Sequence, residues 1–282
     1  MTEYDKLLRL ARTRIDACLS GAAGWPESAG RYLERGRGEW LARYGYLLAA
    51  QIDLAIPSLG LVGAKPFNSQ VKRMEMFRAI LDVCKISMVV ETGTCRGATT
   101  EYMARNFSGP IYSCDLNRRY FEYAKRRLAG WPNVEVQLDD SRRLLQQLFD
   151  LPLLRDKVVF LYLDAHWNRD LPLLGEVSLI LNNPISAVAM IDDFEVPFDQ
   201  GYGYDTYGRG KKLCLQMLSS FRDRLEYVYF PALSAMKESG PRRGCLVFTT
   251  SKVLDQQLQT LPSLKRGTQN DWSVYGSQPP PT

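Results

Sequence analysis

The stretch Val89-Val90-Glu91-Thr92-Gly93-Thr94-Cys95-Arg96-Gly97-Ala98-Thr99-Thr100 runs from a short apolar strand through a glycine turn into a helix. Glycine at 93 and 97 lets the backbone turn tightly and approach a ligand where a Cβ would collide. The spacing E-x-G-x-x-x-G departs from the dinucleotide fingerprint G-x-G-x-x-G, because Cys95 occupies the middle position and Arg96 is bulky. Glu91, just before the first glycine, is placed to accept from a cationic amino-acid ligand or from water around it.

Outward from this turn, short apolar runs alternate with helix-length segments: Ser87 to Thr92, Ile111 to Cys114, Val134 to Leu138, Val158 to Leu163 and Ala187 to Ile191. That alternation predicts βαβ units and a parallel sheet covered on both faces. Leu225 to Phe230 and Cys245 to Thr249, joined across 231–244 without a long helix, predict a terminal antiparallel pair. The expectation is an α/β, doubly wound, seven-stranded and mainly parallel sheet. Helical spacing over 40–56 and 69–85, with Ser69 as N-cap, makes the region before the sheet helical. The expected division is a helical segment 1–68 serving as lid or oligomer interface, a ligand-binding domain 69–275, and a disordered tail 276–282 containing three consecutive prolines.

Composition excludes several classes. Hydrophobic residues make up 45% and charged residues 24% of the 282, and no apolar run is long enough to span a bilayer. The first twenty residues form a charged amphipathic pattern without a secretory signal, so a cytoplasmic location is expected. A net charge of +5 is too dispersed to indicate nucleic acid. The six cysteines form no C-x-x-C pair and are expected to be free thiols. The expected partner is a small-molecule substrate, with a homo-oligomer as a further option.

In a doubly wound sheet the ligand lies beyond the carboxyl ends of the strands, so the strand ends are decisive. Strand two ends at Asp115, 22 residues after Gly93, where a ribose-diol acceptor belongs. Strand three ends in Asp139-Asp140-Ser141, beside where an adenine edge would lie. Each element has a plainer reading: a structural βα turn, a solvated carboxylate, a helix cap. Together, at three successive strand ends, Glu91, Gly93, Thr94, Arg96, Gly97, Asp115, Asp139, Asp140 and Ser141 resemble the class I S-adenosylmethionine-dependent methyltransferases. The resemblance spans about residues 70 to 250.

Strand four ends Leu163-Asp164-Ala165-His166-Trp167 and strand five ends Ile191-Asp192-Asp193-Phe194. Converging carboxylates repel one another, and a hard divalent cation would offset them; magnesium comes first, with calcium or manganese satisfying the same oxygens. His166, the only histidine, is a candidate to take a substrate proton near neutral pH, or a packed structural residue. For Asp192 and Asp193 the plainer reading is a helix or turn cap at a strand end. The pattern, with Glu176 between, is similar to metal-dependent O-methyltransferases of natural-product pathways, including the macrocin, novobiocin-sugar and cephamycin types, and more distantly to catechol O-methyltransferase. That resemblance implies Asp164, Asp192 and Asp193 as metal ligands and a small-molecule hydroxyl as acceptor, with Asp164 also near the donor. The stretch after His166 follows none of these subfamilies closely.

After strand five, 197–212 interleaves four glycines with Tyr202, Tyr204 and Tyr207 and ends in Arg209, Lys211 and Lys212. It reads as a mobile substrate wall, or as an ordinary surface loop. Two alternatives stay open: a metal-independent methyltransferase, and a nicotinamide-dependent Rossmann oxidoreductase or epimerase. A ligand-binding partner subunit is a third.

Overall fold

β1 (Met88–Thr92) is buried at every position because both its faces are covered, Val89 packing into one layer and Val90 into the other. The computed structural model describes residues 45–46, 65–151, 154, 156–166, 171–208 and 211–273. The segments 1–44 and 47–64 and the tail 274–282 therefore lie outside the described residues, and with them most of the expected lid 1–68 and the Pro-rich end.

β2 (Ile111–Cys114), β3 (Val134–Gln137), β4 (Val158–Leu163) and β5 (Ser186–Asp192) join β1 in parallel, with Val90 opposite Tyr112 on one side and Leu161 on the other. β7 (Cys245–Thr249) pairs antiparallel with both β5 and β6 (Val228–Pro231). The sheet has eight strands in the order β3-β2-β1-β4-β5-β7-β6-β8, not seven. The eighth, β8 (Leu264–Arg266), pairs with β6. It escapes the sequence pattern because it is three residues long and two of them, Lys265 and Arg266, are exposed charges.

Helices α1 (Val71–Cys84), α2 (Ala98–Asn106), α3 (Arg118–Arg127), α4 (Ser141–Phe149), α5 (Leu173–Asn182) and α6 (Lys252–Leu258) connect or flank the strands. α1, α2 and α6 supply Phe77, Met103 and Leu258 to one face of the sheet, α4 and α5 supply Leu145 and Val177 to the other. Ser69 does not cap α1. Gln70 holds the N-cap position, and Glu238 from the β6–β7 connection accepts from the backbone amides of Lys72 and Arg73 at 2.9 and 3.1 Å. A tertiary carboxylate thus does what a local hydroxyl was expected to do. Among the described residues no helix is long and apolar enough to cross a membrane, and Cys84, Cys95, Cys114, Cys214 and Cys245 are free thiols.

Glu176, in the first turn of α5, is fully buried, and neither carboxyl oxygen has a hydrogen bond of ordinary geometry. Burial pushes it up to about 7, with the nearby Ser141 and Thr92 hydroxyls pulling back. The folded chain therefore holds a proton there that the unfolded chain, near 4.5, has released. Stability contributed by this group should fall as pH rises from about 4.5 to about 7. Glu176→Gln is expected to gain on the wild type by up to about 3 kcal/mol at pH 8 and to match it near pH 4.5. Denaturant unfolding at both pH values checks this; an equal difference at both would exclude the linkage.

Candidate functional site

The parallel order reverses between β1 and β4, and a cavity of about 470 Å³ opens there at the carboxyl ends of the strands. Gly93, Thr94 and Arg96 line it from the turn after β1, Asp115 from β2, Asp139, Asp140 and Ser141 from β3, Asp164 from β4 and Asp193 from β5.

Gly93 sits at φ +85°, and a Cβ there would run into the Asp164 backbone carbonyl. The glycine is required by the neighbouring strand, not only by a ligand. Gly97, at φ +67°, stands off the pocket; its Cβ would press 3.0 Å from the Leu128 side chain. The turn is held from β2, whose Cys114 carbonyl accepts from the amides of Gly93 and Thr94 at 3.0 and 2.9 Å. Asp115 accepts from the Cys95 amide at 2.8 Å and the Asn117 amide at 2.7 Å, and burial raises it to about 6.

Glu91 is not on the pocket wall. It is buried beneath the turn, accepting from the Thr100 hydroxyl and, at 2.7 Å, from the Ser113 hydroxyl. Asp140 caps α4 by accepting from the Arg142 amide at 2.8 Å, and its other oxygen meets the Arg142 guanidinium at 2.5 Å, which lowers its pKa. Asp139 accepts from the Asp140 amide at 2.8 Å. Arg96 stacks 5.8 Å from the Tyr123 ring.

At the other end, carboxylate oxygens of Asp164, Asp192 and Asp193 lie within 4.8 Å of one another. Asp192 is buried; one oxygen pairs with the buried Arg73 guanidinium and the other accepts from the Tyr162 hydroxyl at 2.5 Å. Asp193, at φ +51°, accepts from Arg243 Nε at 2.7 Å, and the same guanidinium reaches Asp205. Asp193 is pushed up to about 6 by burial and by Asp192, against the pull of Arg243. Burial, then Asp192 and Asp193, drive Asp164 well above the usual carboxylate range.

His166 is buried behind the wall with no hydrogen bond of ordinary geometry at either ring nitrogen, and burial lowers it to about 4 against the pull of Asp192, so it is neutral at pH 7. The described part of the tyrosine loop makes bonds to the site: the amide of Asp205 donates to the Asp193 carbonyl, and the Tyr207 hydroxyl lies 2.6 Å from the His166 carbonyl and 2.7 Å from Asp205 Oδ2. Tyr202 is buried away from the cavity and donates to the Leu233 carbonyl. Tyr204 is exposed, with Lys212 Nζ 4.5 Å from its ring centre. Arg209 lies outside the described residues.

The rim also contains Lys65 and Asn68, which sequence reasoning missed. Phe67, Asn68 and Ser69 all have positive φ, at 46°, 55° and 64°. Such a run persists only where surroundings over-determine it. Here the Gln70 side chain bonds the Arg243 backbone in both directions at 2.8 and 2.9 Å, and Ser239 Oγ donates to the Ser69 carbonyl at 2.7 Å. Arg73, Tyr162, Arg243 and Asp205 were missed too.

No protein-family model matches the chain. No curated protein matches it. Among solved structures, an O-methyltransferase from Bacillus cereus in complex with S-adenosylhomocysteine is 14% identical, with 73% of this chain and 90% of that one covered at a TM-score of 0.46. A putative caffeoyl-CoA O-methyltransferase from Staphylococcus aureus is 12% identical over 72% and 92% at 0.47. The O-methyltransferase TomG from Streptomyces achromogenes, involved in tomaymycin synthesis, is 18% identical over 71% and 96% at 0.42. At these identities and scores none of them bears on the chemistry of this chain.

Gly93→Ala should destabilise the fold by about 2 to 4 kcal/mol, because positive φ and a backbone collision act together. Thermal unfolding without any ligand measures it, and a loss under about 0.5 kcal/mol, the range of ordinary surface changes, would contradict the assigned contact.

Proposed function

We propose that the chain is an S-adenosylmethionine-dependent methyltransferase that uses a divalent ion, magnesium first, to present a small-molecule hydroxyl for O-methylation. The observation that supports this most is one cavity with a glycine turn and Asp115 at one end and the Asp164 and Asp193 carboxylates at the other. The turn 93–96 would take the amino-acid end of the donor. Asp115 keeps lone pairs free beside its two backbone bonds for the ribose hydroxyls. Asp140 is occupied by Arg142 at 2.5 Å; Asp139, more loosely held 3.5 Å from Arg143 Nε, and Ser141 would serve the adenine side.

The residues fit a metal ion. Three carboxylates offer oxygens within 4.8 Å of one another. With Asp205, four carboxyl groups face the two guanidiniums of Arg73 and Arg243; when all four are ionised, two negative charges remain for a dication to balance. Arg73, Tyr162 and Arg243 would orient the ligating oxygens from outside, as hydrogen-bonding partners of metal-bound carboxylates do. When bound, such an ion makes a coordinated hydroxyl easier to deprotonate. Asp164 lines the pocket and, once ionised, would be a proton acceptor there; His166, neutral but held near 4, is the weaker base behind it.

A metal-independent methyltransferase is the second reading, favoured by the same two arginines, which already neutralise Asp192 and Asp193. Calorimetry should show S-adenosylmethionine and S-adenosylhomocysteine binding to the folded chain, with Asp115→Ala weaker by about 1 to 3 kcal/mol. Asp193→Asn should weaken magnesium binding at least about tenfold and leave donor affinity within about twofold. Methyl transfer that survives a chelator would select the metal-independent reading. Absence of donor binding would overturn both.

A further inference from the structure

Beneath the glycine turn, a line of polar atoms runs from the core to the pocket. Glu91 accepts from Ser113 Oγ at 2.7 Å, Ser113 Oγ lies 2.6 Å from Thr94 Oγ1, and Thr94 lines the cavity. All three residues are buried, Ser113 completely. Each hydroxyl carries one proton, so the line has two self-consistent polarities. With Glu91 ionised, Ser113 donates to the carboxylate and Thr94 donates to Ser113, which leaves Thr94 an acceptor towards the pocket. With Glu91 protonated on Oε2, the oxygen that meets Ser113, the acid donates to Ser113 and Ser113 to Thr94, so Thr94 must turn its own proton elsewhere and becomes a donor.

We propose that Glu91 is a positioning residue which, through Ser113, sets whether Thr94 accepts or donates in the donor pocket, and that the ionised setting receives the cationic amino-acid end of S-adenosylmethionine. This rests on the donor assignment above. Glu91 does not touch the donor; its charge acts two hydroxyls away.

The acid is suited to be switched. Burial raises Glu91 to about 7, the Thr100 and Ser113 hydroxyls pull it down, and Asp115 pushes it up. Asp164 and the Cys114 thiol also feel its charge. A group about half protonated at neutral pH yields its proton when a ligand prefers the ionised arrangement. The proton leaves Glu91 for the buffer, and no covalent bond changes.

Calorimetry of S-adenosylmethionine binding at pH 7 in buffers of different ionisation enthalpy reads the proton count. At pH 7 the wild type should release roughly half a proton more per donor bound than Ser113→Ala does, a difference that falls towards zero at pH 8.5, where Glu91 is already ionised; the donor's own α-amino group, with a free pKa of about 8, contributes equally to both. Asp115, held near 6, is mostly ionised at pH 7 and adds little. Ser113→Ala and Thr94→Val break the line and should lose both that extra release and several-fold in affinity, while Thr94→Ser restores both. Thr100→Val, which removes a bond to the same carboxylate off the line, should retain the release. The same proton count in Ser113→Ala as in the wild type at pH 7 overturns the relay alone. A folded wild-type chain that binds no donor overturns the donor assignment and the relay with it.

Discussion

The close approach of β1 to β4 at Gly93 is the constraint on which the site depends. The Asp164 amide donates to the Thr92 carbonyl at 3.0 Å, and Gly93, the first residue past β1, has no room for a side chain against the Asp164 carbonyl. Both strands end there, at the one place where the parallel order reverses, so the loops that follow part and leave a cavity. Two of the pocket carboxylates take their positions from this junction. Asp115 enters because the turn after β1 is pinned to the Cys114 carbonyl, and Asp164 because it is the first residue past β4.

Beside the junction the charges are arranged in pairs. Arg73 comes from α1, on one face of the sheet, and meets Asp192 at the end of β5 with almost no exposure of either. A buried pair of this kind adds little net stability, yet losing one partner strands the other in a low-dielectric interior. It therefore acts more as a locator than as a source of stability: Arg73 also donates to the Arg243 carbonyl at 2.6 Å, and Arg243 in turn holds Asp193 and Asp205. Through these bonds the start of α1, the end of β5, the tyrosine loop and the strand entering β7 are fixed to one another.

Much of this was legible in the sequence. Parallel strands buried on both faces read as continuous apolar runs, which is why β1 to β5 were recoverable, and the strand-end rule then found Gly93, Asp115, Asp139, Ser141, Asp164 and Asp193 on the cavity. What stayed hidden depended on partners far along the chain. Nothing local singles out Arg73 among 36 basic residues as the partner of a carboxylate 119 positions away. The direction of Glu91 was hidden for a related reason. In a strand buried on both sides, alternation says that Glu91 and Thr92 face opposite layers but not which layer carries the ligand. His166 was read from its intrinsic titration, and burial without a partner moved it out of the range that made it attractive.

That alternation also places two buried acids around the same strand end. Glu91 faces the α2 side, where hydroxyls of Thr100 and Ser113 serve it, and Thr92 faces the other side, where Glu176 lies unpartnered beside it. Both acids are raised to about 7 by burial. A fold selected only for stability would replace them with apolar or amide side chains, since an ionised carboxyl in the interior is costly. Glu91 differs from Glu176 in one respect: its hydrogen bonds lead to the pocket. On that side the cost of burial is coupled to ligand charge, because a cation arriving at Thr94 favours the ionised form that the empty interior disfavours. Glu176 has no hydrogen bond of ordinary geometry to carry such a change, although the Ser141 hydroxyl that pulls on it lines the same cavity.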